Sequence, residues 1–170
     1  MQLVPLRCTD KLTTQGVKLG EAYVDTKNLV ETISQLLHTQ YFGVLATARD
    51  GAPYTSLVAF STDQNLRHIF FSTNRATRKF ANLSSDERVS ILVDDTHNLE
   101  SDLVDSAAVT ALGRISELKG SEREKVLASY LDRHPRLGDF AAAPSCALLA
   151  IEVEKYILVR RFQQVFEYRP

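Results

Sequence analysis

Apolar and polar positions change period several times along the chain, and each change marks an element. Residues 1–24 have no clear periodicity and read as an irregular N-terminal arm. Leu29, Ile33, Leu36 and Leu37 then recur at i, i+4, i+7 and i+8, the spacing of a helix with one apolar face, and Asp25 can cap its first turn. From Tyr41 the period falls to two. Tyr41 to Thr47, Tyr54 to Ser61 and Arg67 to Ser72 are short runs rich in β-branched and aromatic residues. They are separated by Arg49-Asp50-Gly51-Ala52 and Thr62-Asp63-Gln64-Asn65. Asp-Gly and Asp-x-Asn are turn chemistry, so these runs predict an antiparallel meander and not a crossover unit.

Beyond them the pattern predicts a short helix, about Arg75 to Leu83, with Ala76, Phe80 and Leu83 on its inner face. Arg88 to Val93 reads as a fourth strand, Asp94 to Asp105 as a polar loop and Ala107 to Leu118 as a long fifth strand. Ser121-Glu122-Arg123-Glu124 has the form of a capping box opening a helix through Leu127, Tyr130 and Leu131. That helix must end near His134, because Pro135 disfavours helical geometry in the residue before it. Cys146 to Phe166 supplies one or two further strands. Six or so antiparallel strands with helices at the margins suggest a small barrel, mainly β (α+β), in one domain over residues 1–170.

Composition narrows the possible functions. The 170 residues are 44% apolar and 24% charged, an ordinary globular balance. Twenty basic against 21 acidic residues give a net charge of -1, which argues against a dedicated nucleic-acid binder. The run Cys146 to Ile151 is far shorter than the ~18 apolar residues that span a membrane. Met1 to Asp10 lacks a basic start followed by an apolar block, so the chain is expected to be soluble and cytoplasmic, with no membrane partner. Cys8 and Cys146 form no close pair and read as reduced thiols. His38, His68, His97 and His134 share no metal-ligating spacing, so no metal is expected.

The densest polar signal is Ser72-Thr73-Asn74-Arg75-Ala76-Thr77-Arg78-Lys79. A strand ends in two hydroxyl residues, Asn74 can cap the following helix, and three cations crowd its first turns. Like charges at i, i+3 and i, i+4 repel, and cations at a helix N-terminus oppose its dipole. A phosphate would relieve both conflicts. The other reading is a solvated basic helix neutralised by Asp86 and Glu87. A second constellation, Gly51-Ala52-Pro53-Tyr54-Thr55-Ser56, leads from a turn into a strand whose edge groups could hydrogen-bond a planar heterocycle. No order of Ser, His, Asp or Cys stands out for nucleophilic catalysis.

In sequence order, Phe42-Gly43-Val44-Leu45-Ala46-Thr47, Gly51 to Ser56, Ile69-Phe70-Phe71-Ser72-Thr73, Thr77-Arg78-Lys79 with Asn82-Leu83, Arg88-Val89-Ser90-Ile91 and Val109 to Arg114 resemble the FMN-binding split-barrel family related to pyridoxamine 5'-phosphate oxidase. The resemblance covers about Leu36 to Phe166. It implies a six-stranded antiparallel split β-barrel with flanking helices and an FMN cofactor. It also implies phosphate binding by Arg78 and Lys79, a cofactor lining from Phe71, Ser72 and Thr73, and a flavin border from Tyr54, Thr55 and Ser56. A homodimer with FMN at the interface follows from the same likeness, with Ala141 to Ile151 a candidate for the buried surface and Phe162 and Gln163 for the substrate pocket. Tyr54 and about Ala59 stand where the oxidase has Arg and Lys, and Ala108 stands where the family has Gln. The oxidase's C-terminal Arg-x-His motif is missing. The implied activity is therefore FMN-dependent oxidoreduction of a small molecule other than pyridoxamine phosphate. The alternative is a flavin- or haem-binding protein of the same fold without turnover. Tyr130-Leu131-Asp132-Arg133-His134-Pro135 looks like a segment of the haem-utilisation branch, although no histidine follows His134.

Overall fold

The computed structural model describes residues 26–161 and 164–170. The arm at 1–24, Cys8, the Asp25 cap, Phe162 and Gln163 lie outside the described residues. Helix α1 (Thr26–Thr39) buries Leu29, Ile33, Leu36 and Leu37, the four positions of its apolar periodicity. Strands β1 (Phe42–Arg49) and β2 (Ala52–Thr62) form a hairpin in which Arg49 pairs with Ala52. The two residues between them, Asp50 and Gly51, have φ of 52° and 77°. Two left-handed residues in a two-residue loop match the twist of the flanking strands, which is why Asp-Gly marks this turn. There follow β3 (His68–Asn74), α2 (Arg78–Leu83), β4 (Arg88–Asp94), α3 (Asp102–Asp105), β5 (Ala107–Glu117), α4 (Gly120–Arg133), α5 (Gly138–Ala142), β6 (Cys146–Arg160) and β7 (Gln164–Tyr168).

The strand order is β3-β2-β1-β4-β5-β6-β7, and β3 pairs again with β6. Six antiparallel strands thus close into a barrel, with β7 added outside the ring. Strand β6 serves both ends: residues 146–152 pair with β3, and residues 156–160 pair with β7. Between these halves the β5–β6 register slips, Leu112 facing Lys155 but Gly113 facing Val153, so Glu154 bulges. A bulge bends its strand, and here the bend parts the two halves of β6. A Cβ on Gly113 would lie 2.1 Å from the Glu152 carbonyl oxygen, so only glycine allows this approach.

Alternate residues of every barrel strand point inward, among them Leu45, Phe60, Ile69, Phe71, Ile91, Val109, Ile151 and Leu158. A second, smaller cluster of Leu118, Tyr130, Ala141, Leu148 and Ala150 lies between the barrel wall and helices α4 and α5. Within the candidate segment Ala141 to Ile151, Cys146 to Ile151 is therefore buried in its own chain, whereas Ala142, Pro144 and Ser145 are exposed. Both faces of β6 are covered here, one by the barrel interior and one by the helices.

Three local expectations need correction. The segment 94–105 holds a helical turn, α3. Ala76 is exposed and precedes α2, which starts at Arg78. The capping box at Ser121 and Glu124 does not form, because α4 starts with Lys119 at its cap and no side-chain cap bond. The Leu118 amide is still tied to the Leu148 carbonyl at 3.0 Å, and the chain turns into the helix directly after it. The stop before Pro135 is as expected: α4 ends at Arg133 and a 3-10 turn, Pro135–Leu137, follows. No described helix is long and apolar enough to cross a membrane.

Candidate functional site

The ladder between β2 and β3 is only three pairs long: Thr62 with Ile69, Ser61 with Phe70 and Phe60 with Phe71. Residues 52–59 of β2 pair with β1 alone, and residues 72–74 of β3 pair with β6 alone. The two strands therefore part, and the residues singled out in the sequence lie on the two arms of the split. Helix α2 follows the β3 arm and packs back against β1. There the Asn82 amide Nδ2 donates to Thr47 Oγ1 at 3.0 Å, and Thr47 Oγ1 donates to the Tyr54 carbonyl at 3.3 Å. Asn82 and Thr47 are both buried, so this chain of bonds fixes α2 to both strands of the first hairpin.

The start of α2 is built locally. Thr77 Oγ1 accepts from the Phe80 amide at 3.4 Å, and Thr73 and Thr77 hydroxyls lie 3.2 Å apart. Asn74 does not cap the helix; its Oδ1 accepts from the Ala76 amide at 2.8 Å and shapes the turn before it. Tyr54 is half-buried and its ring lies 4.8 Å from the Arg78 guanidinium carbon, within cation–π range. Ser56 and Ser72 have buried hydroxyl oxygens with no hydrogen-bond partner. Thr55 is exposed on the opposite face of β2. Phe71 is fully buried inside the barrel, and Thr73 is buried against Thr77. The fold thus joins Tyr54 to Arg78 and Thr73 to the start of α2, while the side chains of Thr55 and Phe71 point elsewhere.

The charges sort differently from either simple reading of the basic run. Arg75 is taken by Glu117 at the end of β5 in a two-pronged pair of 3.0 and 2.5 Å. The Arg75 guanidinium holds the Glu117 carboxyl below its usual range, against the opposing effect of burial. Asp86 binds Arg88, which pulls its carboxyl down to about 2. Glu87 binds Arg114 at 2.6 Å. Asp86 and Glu87 are thus engaged elsewhere and leave the cations of α2 alone. Among the described residues neither Arg78, which is exposed, nor Lys79, which is half-buried, has an ion pair.

Two features escaped the sequence. Arg133 caps the end of α1, donating to the carbonyls of Leu37, His38 and Gln40 at 3.3, 2.8 and 2.5 Å. Its neighbour His134 is buried, with Nε2 2.7 Å from the Phe60 carbonyl, and burial pushes its pKa down. In the sequence this segment is marked by Pro135 and by its likeness to the haem-utilisation branch, and neither points to the helix cap. The second is an apolar outer face on the barrel: Val44 sits opposite Leu57 on one side and Leu92 on the other, and these are 37%, 65% and 39% exposed. Phe42, 58% exposed, continues it. Strand alternation allowed a solvated face; only closure of the barrel showed which face that was.

On the arms of the split stand hydroxyls, the Tyr54 phenol and two cations, while the Tyr130 phenol and the His134 imidazole behind them are bonded to main-chain carbonyls. Such a set can hold an anionic, polar ligand but carries no acid–base pair of its own. No group of three or more potential metal ligands occurs among the described residues.

A family model described as pyridoxamine 5'-phosphate oxidase matches residues 29–160. No curated protein matches the chain. Solved structures with the same fold include a haem-binding protein from Mycobacterium smegmatis, 20% identical with a TM-score of 0.71 over 79% of this chain and 55% of that one. The chain thus spans about half the length of that protein. A FAD-binding protein from Mesorhizobium loti is 19% identical, with a TM-score of 0.60 over 75% of this chain and 91% of that one. A pyridoxamine 5'-phosphate oxidase, so assigned by likeness, from Listeria innocua is 16% identical, with a TM-score of 0.61 over 77% of this chain and 98% of that one.

Proposed function

The chain belongs to the pyridoxamine 5'-phosphate oxidase family, and from that premise we propose that it is an FMN-dependent oxidoreductase acting on a small molecule. The observation that carries this reading is that, among the described residues, Arg78 and Lys79 beside the split have no ion pair, whereas Arg75, Arg88 and Arg114 each have a carboxylate. The residues fit the cofactor in two further respects. The Ser56 hydroxyl, on the same face of β2 as Tyr54, is buried and lacks a partner, a cost that a ligand's polar atoms would remove. Tyr54 offers an aromatic ring next to the Arg78 cation. In this assignment Arg78 and Lys79 hold the phosphate, Arg78 by a two-pronged contact and Lys79 as a point charge. Thr73 and Thr77 keep the start of α2 in register, and Tyr54 steadies the Arg78 side chain. FMN, when bound, supplies the redox chemistry, while the protein supplies binding, orientation and electrostatics.

The same reading includes a homodimer. The apolar outer face around Val44, Leu57 and Leu92 is a surface that a second copy would cover, and two-fold pairs are the commonest way to do so. The second reading is a flavin or haem carrier without turnover, favoured by the haem-binding neighbour. His134 itself weighs against a role as haem ligand, because its ring is buried and already bonded to the Phe60 carbonyl. The visible spectrum of the purified protein separates these readings. Flavin bands that bleach with NADH or NADPH and return with oxygen support the oxidoreductase. Flavin bands that do not bleach support a carrier, a Soret band supports haem, and a colourless protein that takes up no added FMN refutes both flavin readings.

A further inference from the structure

The point at which β2 and β3 part is occupied by a side chain from elsewhere. After Phe60 and Phe71 the next rung would join Ala59 to Ser72. Instead the Tyr130 hydroxyl, from α4, donates to the Ala59 carbonyl at 3.2 Å. Ser72, next in register on β3, makes no pair with β2. The phenol thus takes the carbonyl that the missing rung leaves open on β2. The Tyr130 ring is 1% exposed and lies 4.8 Å from the His134 ring. His134 is bonded to the Phe60 carbonyl and Arg133 to the end of α1, so the end of α4 is pinned to β2 and to α1. The hydroxyl is not free to swing away.

We propose that Tyr130 is a positioning residue: its hydroxyl, bonded to the Ala59 carbonyl where the next rung would form, stops the β2–β3 ladder and keeps apart the arms that carry Tyr54 and Ser56 on one side and Thr73 on the other. The identity of the ligand between those arms rests on the flavin reading; the wedge itself does not. Tyr130→Phe keeps the ring and its packing and removes only the inserted oxygen. The Ala59 carbonyl then loses its partner and can pair with the Ser72 amide at about 2.9 Å, which draws the arms together.

Two readouts test this on the full chain. In the unliganded protein, hydrogen exchange at the Ser72 amide, followed by NMR, should slow about tenfold or more in Tyr130→Phe as the rung forms. In a fluorescence titration, FMN affinity should fall by about tenfold or more. Leu131→Ala is the control, since it removes packing in the same apolar cluster without touching the hydroxyl. It should lower the thermal midpoint and leave FMN affinity within about threefold of wild type. Unchanged or faster Ser72 exchange in Tyr130→Phe overturns the wedge, as does an equal loss of FMN affinity in both variants. Wild-type protein that binds no FMN refutes the flavin reading, and Ser72 exchange then decides the wedge alone.

Discussion

Replacing Arg78 by alanine should separate phosphate recognition from every other role of α2. The side chain is exposed, has no carboxylate partner among the described residues and rests on the Tyr54 ring at 4.8 Å. A hydrogen bond to a charged group contributes about 1.5–3 kcal/mol, so Arg78→Ala should weaken FMN roughly ten- to a hundred-fold. Riboflavin carries the same ring without the phosphate, and its affinity should change by less than about twofold. Lys79→Ala should act in the same direction but less, because an ammonium lacks the planar fork of a guanidinium. Stability should move little. Charge crowding within the run is smaller than the spacing suggests, because Arg75 is already neutralised by Glu117. Arg78→Ala therefore gains little relief and forfeits an exposed cation–π contact of about 0.5–1 kcal/mol. For a chain of this size that is a fall of about 1–4 °C in thermal midpoint. The assay is a flavin-fluorescence titration of wild type and both variants with FMN and riboflavin, beside thermal melts. Equal losses for the two ligands would show that the cations support the fold and not the phosphate.

Three further outcomes follow from the same geometry. Buried His134 has its pKa lowered, first by desolvation and then by Arg133, against a raising effect of the Phe60 carbonyl. The unfolded chain takes up this proton near 6.5 while the folded one still resists it, so stability should fall as pH drops below about 6.5. Denaturant midpoints between pH 7.5 and 5 should show this slope in wild type and lose part of it in His134→Gln; identical slopes would remove His134 as the cause. Light scattering should return twice the 19.0 kDa chain mass, and Leu57→Glu on the outer face should return the single-chain mass. A wild type that runs as a monomer at micromolar concentration rules out the dimer. Gly113→Ala would set a Cβ against the Glu152 carbonyl oxygen, and should cost about 1–3 kcal/mol or more in urea unfolding, where an unchanged midpoint would contradict the tight register at the bulge.

Much of the architecture was legible in order along the chain because it depends on local rules. The Asp50-Gly51 turn, the four apolar positions of α1 and the stop before Pro135 each follow from the chemistry of a few adjacent residues. Ser72 to Lys79 stood out for the same reason, as a run that conflicts with helix electrostatics. What local rules could not supply was which charges meet. Glu117 lies 42 residues from Arg75, and only the pairing of β5 with β6 and of β6 with β3 brings the two together. That long-range pair neutralises Arg75, while Arg78 and Lys79 have no ion pair among the described residues. The split itself is also tertiary. Nothing in residues 52–62 or 68–74 says where their ladder ends. That limit is set by a phenol from α4 and by the bulge that lets one half of β6 take β3 and the other take β7. Sequence thus determined the strands, the turns and the basic run, whose causes lie within a few residues. The closed barrel decided the split, the pairing of Arg75 and the apolar outer face, because each depends on groups far apart in the chain.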